Sequence, residues 1–140
     1  MPPVVKNLIM INVLMYLITA ITGNFMYENF ALFYFKSPFF KPYQLVTHMF
    51  MHGGFTHILF NMYALFIFGS VLERVWGSQK FLFYYFVTGI GAALLHLGVM
   101  YLQLQGYLAD AQAGDIMASA NIRALLTTPT VGASGAIYGL

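Results

Sequence analysis

Charged residues divide this chain into long apolar stretches. Residues 7–27, 42–72 and 81–109 contain no Asp, Glu, Lys or Arg. A helix needs about 20 mostly apolar residues to cross the hydrocarbon core of a bilayer, so each stretch has room for one span. The first predicted helix covers residues 4–22 and stops at Gly23, whose missing Cβ suits a helix C-terminus. The second covers 54–76, between the Gly53-Gly54 pair and Gly77. The third covers 79–103, with Gly89, Gly91 and Ala93 spaced to let another helix come close. A last helix begins at Ser134 and occupies 134–140 onward. From Ser134 to Leu140 it spans about 10 Å, a third of a core about 30 Å thick. The expectation is three complete spans and the start of a fourth, in a chain that stops before its natural end.

The connections carry a different pattern. Residues 24–43 are dense in Phe and Tyr and are interrupted by Pro38 and Pro42. Proline breaks a continuous helix, and aromatic rings with polar edges favour the headgroup zone, so an interfacial loop is expected here. Residues 104–133 are more polar and are expected to form a loop with a short helical piece near Asp115 to Leu126.

Composition changes the picture by fixing the solvent. Hydrophobic residues make up 60% of the chain and charged residues 7%, against about 25% charged in a soluble domain. The fold class expected is an all-α polytopic membrane protein in a single domain, with the lipid bilayer as its first partner. A net charge of +2 without any basic run gives no footprint for nucleic acid. Cysteine is absent, which excludes disulfides, thiolate metal sites and a cysteine nucleophile. The first apolar stretch contains Asn7 and Asn12 and lacks a small-x-small cleavage site, so it is kept as a span rather than a signal peptide. Lys6, Arg74 and Lys80 fall on one side and Lys36, Lys41 and Arg123 on the other, so the positive-inside rule does not choose an orientation.

Candidate chemistry gathers at two places. The stretch Gly132-Ala133-Ser134-Gly135 sets a serine between glycines at the head of a helix. Glycine allows a tight turn and a close approach of substrate backbone, and first-turn N–H groups can stabilise an oxyanion. The same serine also serves as an ordinary helix cap, and the tetrapeptide alone does not choose. Tyr138, four residues on, shares its face, while Gly135 and Gly139 make a close-packing surface. In the second span, His57 and Asn61 are one turn apart near its start. Polar side chains at membrane depth are functional candidates by default, and both can donate hydrogen bonds to an oxyanion; a structural helix–helix hydrogen bond is the alternative. His48 and His52 precede them at a spacing that could chelate a metal. No carboxylate or cysteine lies nearby, and Gly53-Gly54 interrupts the helix, so no metal or other cofactor is expected. His96 reads as a helix-packing hydrogen-bonder.

The block THMFMHGGFTHILFNMYALFIFGSVLERVWGSQKF resembles the second transmembrane helix of rhomboid proteases and the turn after it. The segment PTVGASGAIYGL resembles that family's catalytic serine motif, with tyrosine four residues later. The resemblance implies the N-terminal part of a six-helix fold, with the first helix starting in the cytoplasm and the site below the outer surface of a cell (plasma or inner) membrane. It implies that Ser134 is a nucleophile acting on transmembrane protein substrates near the membrane surface. His57, Asn61 and the Ser134 N–H would line an oxyanion hole, Gly132 and Gly135 would support the turn, and Tyr138 would stack on the general-base histidine. Many relatives carry Trp-Arg in the first loop where this chain has Tyr43-Gln44, which alters how that loop is anchored. The family's base is a histidine on the sixth helix, so this chain alone is expected to be inactive. The alternative is a non-catalytic relative that binds transmembrane clients; Ser134 favours the protease.

Overall fold

The computed structural model describes residues 1–139, and every element in it is helical. Helix α1 spans Pro3–Thr22, α2 Asn24–Phe30 and α3 Gln44–Thr47, the last followed by a 3-10 turn at His48–Phe50. Helix α4 spans Phe55–Trp76, α5 Ser78–Gln112, α6 Ala118–Thr127 and α7 Ser134–Tyr138. Of these, α1, α4 and α5 are long and apolar enough to cross a membrane. Ile21, Val75, Phe83 and Leu95 on their outward faces are each more than 70% exposed. Apolar surface on that scale is stable against lipid rather than water. The expected continuation of the last helix through residue 140 lies outside the described residues.

Local chemistry explains the helix ends. Pro3 opens α1, where its missing N–H and fixed φ cost nothing. A single residue, Gly77, joins α4 to α5 at φ +87°, a conformation that L side chains rarely adopt. The turn makes α4 and α5 antiparallel. Glu73, one turn earlier and buried, reaches across to the start of α1. Its two oxygens accept the Val4 and Val5 N–H groups at 2.9 Å each, and the Ser78 hydroxyl at 2.7 Å. A carboxylate there complements the unpaired amides and positive dipole end of α1. The start of α1, the end of α4 and the start of α5 are thus tied at one end of the bundle.

Two apolar clusters hold the helices. The first joins Val5 and Leu8 of α1, Met62 and Leu65 of α4, and Phe81 and Tyr85 of α5 with Met49, Ala133 and Ala136. A π-helical stretch in α4 at Leu65–Gly69 lies at its centre. A Cβ on Gly69 would meet Val5, Leu65 and Phe81 side chains at 3.0–3.2 Å, so the three spans cross closely there. The second cluster packs Leu32 and Tyr34 of the first loop and Leu125 of α6 against Ala93, Leu97, Met100 and Leu104 of α5.

Two segments differ from the sequence expectation. The third span, expected to end at 103, runs on to Gln112. Residues 104–112 lose hydropathy but contain no proline and keep Leu, Gln and Ala around Gly106, and Leu104 and Tyr107 pack into the second cluster, so the helix outlasts the apolar run. Residues 24–43, expected as an interfacial loop, begin with the short helix α2 and are pinned by Gln44. The fully buried Gln44 side chain accepts from the Lys41 N–H at 3.0 Å and donates to the Phe39 carbonyl at 2.9 Å. It thereby closes the proline-containing turn on itself.

Candidate serine site

Ser134 is the first residue of α7, at the end of the bundle that carries α2, α3 and α6. The approach to it is fastened from both sides. Leu32 and Thr130 exchange backbone hydrogen bonds of 2.9 and 2.8 Å, an isolated antiparallel bridge between the first loop and the segment before α7. The Gly132 N–H then donates to the His48 carbonyl at 2.9 Å. His48 is itself oriented, because its Nδ1 lies 2.8 Å from the Gln44 carbonyl and must donate to it.

Close packing then sets α7 against α5. A Cβ on Gly135 would sit 2.9 Å from the Ala92 Cβ, and one on Gly139 would collide with Thr88. The small-residue face expected at Gly135 and Gly139 is real, and its partner is α5. Gly89 takes part from the other side, where a Cβ would overlap Met49 and lie 3.3 Å from the Ala136 Cβ; Gly91 meets nothing within 4 Å and plays no part.

This placement brings Ser134 to His57. Gly132 has φ +119°, and a Cβ on it would lie 2.8 Å from His57 Cε1 and 2.9 Å from His57 Nε2. Ser134 Oγ is 3.7 Å from the same point. The imidazole edge and the serine hydroxyl therefore flank one small space that only a glycine leaves open. His57 Nδ1 accepts the Gly53 N–H at 3.2 Å, so the ring proton of the neutral imidazole belongs on Nε2, the side facing Gly132 and Ser134. In that tautomer the nitrogen is a hydrogen-bond donor, not a base.

Asn61 is buried and its amide donates to the His57 carbonyl at 2.7 Å, and among the described residues its second N–H has no acceptor. His57, Asn61, Ser134 and Tyr138 all line one open groove of roughly 750 Å³, with Phe60 and Tyr63 on its walls. Tyr138 stands at its rim, 90% exposed. His52 is fully buried behind His57, ring centroids 5.0 Å apart, and among the described residues neither of its nitrogens has a partner within hydrogen-bond geometry, the Phe50 backbone being a nearby polar influence. Burial, followed by the neighbouring His57, pushes its pKa down to about 4. His96 lies apart from this group, 2.9 Å from the Thr130 hydroxyl, and so ties α5 to a loop rather than to another helix. Among the described residues no three His, Asp or Glu side chains are placed to hold a metal ion.

Comparison with known proteins adds the family. The Rhomboid domain model matches residues 40–140. The chain belongs to the rhomboid family. It is 36% identical over 92 residues to the rhomboid protease AarA of Providencia stuartii, covering 66% of this chain and 29% of that protein. It is 33% identical over 110 residues to Rhomboid-like protein 15 of Arabidopsis thaliana, covering 76% of this chain and 26% of that protein. This rhomboid chain thus spans well under half the length of these curated relatives. Family membership and the three apolar helices make it an integral membrane protein.

Several groups shape the site in ways that their residue types do not announce. Gly53 acts through its amide, Gln44 through four backbone partners and Thr130 through its main chain. Backbone roles leave no signature in residue type. Gln44 alone offered a signal, as an uncharged polar side chain where the family resemblance implies arginine.

Proposed function

We propose that the complete protein is an intramembrane serine endopeptidase that cleaves transmembrane protein substrates near the surface of a cell membrane. Ser134 Oγ attacks the scissile carbonyl and its proton passes to a histidine on a later helix of the six-helix fold. The carbonyl carbon becomes tetrahedral, and its oxygen takes up negative charge. The Nε2–H of His57, the free amide N–H of Asn61 and the Ser134 backbone N–H stabilise that charge. Collapse expels the amine with the proton from the histidine, leaving an acyl ester on Ser134 that water hydrolyses. Gly132 and Gly135 let the loop and α7 pack this closely, and Tyr138, exposed at the groove rim, stacks on the histidine's ring in this reading.

The observation that carries this reading is the pairing of His57 Nε2 and Ser134 Oγ across Gly132, with the Gly53 amide on the opposite ring nitrogen. A serine that served only as a helix cap would need no donor aimed beside it. A fluorophosphonate probe tests the assignment. The complete gene product is expected to label at Ser134, S134A to be unlabelled and uncleaving, and residues 1–140 alone to stay unlabelled for want of a base. Cleavage by S134A would sink the protease reading, and strong labelling of the 140-residue chain would refute a base on a later helix.

A further inference from the structure

The peptide group between His52 and Gly53 is held at both ends. Its carbonyl accepts the Tyr27 hydroxyl at 2.9 Å, and its N–H donates to His57 Nδ1 at 3.2 Å. The two groups belong to one planar, conjugated unit. Donation to the carbonyl draws electron density through the amide and makes its N–H a stronger donor. We infer that Tyr27, in the first loop, is a positioning residue that fixes the tautomer of His57 through this single peptide group. The inference rests on the reading of His57 as an oxyanion donor.

Three observations support it. The Gly53 bond is long for N–H···N and Gly53 is exposed, so water competes for that amide and its donor strength decides the outcome. His52, whose ring is tilted 60° against that of His57, makes no hydrogen bond from either nitrogen among the described residues, so the ring contact supplies shape and the peptide supplies the proton preference. Tyr27 also sits on a braced element: the Phe30 carbonyl of α2 accepts the Thr47 hydroxyl at 2.7 Å, and Asn29 accepts from Lys41 Nζ at 3.0 Å. A phenylalanine at 27 would keep the ring and lose only the grip on the carbonyl.

The test combines ring-nitrogen NMR of the chain labelled with ¹⁵N-histidine and turnover of the complete gene product. Wild type is expected to show His57 as the Nε2–H tautomer. Y27F is expected to shift the Nδ1 resonance toward its unbonded position and admit the other tautomer. It should lower kcat about fivefold, the weight of one hydrogen bond, with KM unchanged. Fluorotyrosine at position 27, a stronger donor of the same shape, should move the Nδ1 resonance the opposite way, which a purely structural role would not do. Unchanged His57 resonances and kcat in Y27F, with H57A inactive, would overturn the role of Tyr27 and leave the oxyanion reading standing. Wild-type turnover by H57A would overturn the oxyanion reading and the inference with it.

Discussion

The imidazole of His57 fills the space that a side chain on Gly132 would need, with Cε1 only 2.8 Å from the position of that Cβ. The backbone of Gly132 adds a second demand, since φ +119° is a conformation that L side chains rarely adopt. G132A is therefore expected to displace either His57 or the turn that carries Ser134. A misplacement of about 1 Å can cost on the order of 100-fold in rate, and a loss of that order in kcat/KM is expected. Cleavage assays on the complete gene product check it. Wild-type kinetics would show that His57 has no part in the reaction.

The contact between Gly135 and Ala92 offers a cleaner genetic test. G135A brings two methyl groups to 2.9 Å across helices that cannot both stay in place. Overpacking of this kind costs about 1–3 kcal/mol and should lower both thermal stability and turnover. Ala92→Gly frees the same volume from the opposite helix, so the double variant G135A/A92G should recover most of both losses. A double variant no better than G135A would mean that the α5–α7 contact does not position Ser134.

The three spans were legible because lipid imposes one rule over a long distance: the absence of charge across residues 7–27, 42–72 and 81–109. Where that rule lapses, legibility lapses too. The expected end of α5 falls too early because hydropathy marks the membrane, while residues 104–112 stay helical through propensity and through Leu104 and Tyr107 packing against α6 and the first loop. The approach of Ser134, His57, Asn61 and Tyr138 to one groove was readable from spacing within each helix and from family resemblance. The fastenings behind it were not. The Leu32–Thr130 bridge, the Gly132–His48 bond and the Gly53–His57 bond join segments far apart or act through the backbone, and sequence periodicity carries neither.

Glu73 makes a prediction at the opposite end of the bundle. Its side chain is the shared acceptor for Val4, Val5 and Ser78. E73A removes a charged acceptor and strands two amides at the start of α1, with an expected loss of about 3 kcal/mol. E73Q keeps one acceptor oxygen and should lose less. Thermal unfolding in detergent micelles measures both. Because the site lies at the far end, early loss should appear in the docking of α1, read by protease sensitivity near residues 1–22, before fluorophosphonate labelling of the complete protein declines. Equal stability of E73A and wild type would show that α1 is held by its apolar contacts alone.

His52 predicts a pH dependence. It lies in the short segment before α4, where burial first and His57 second push its pKa from 6.5 down to about 4. The folded state therefore holds a neutral imidazole while the unfolded chain takes up a proton more readily. The stability contributed by this group is full above about pH 6.5, falls as pH drops toward 4, and changes no further below that. Carboxylates also titrate near the lower limit, so the informative quantity is the difference between wild type and H52L. Among the described residues neither nitrogen of His52 has a partner, so leucine strands no donor or acceptor there and should cost little at pH 7.5. Between pH 6.5 and 4 the wild type should lose stability relative to H52L, so that the variant becomes the more stable of the two under acid. Parallel curves for the two proteins across that window would mean that His52 stays accessible to protons in the folded state and that its burial behind His57 does not govern its charge.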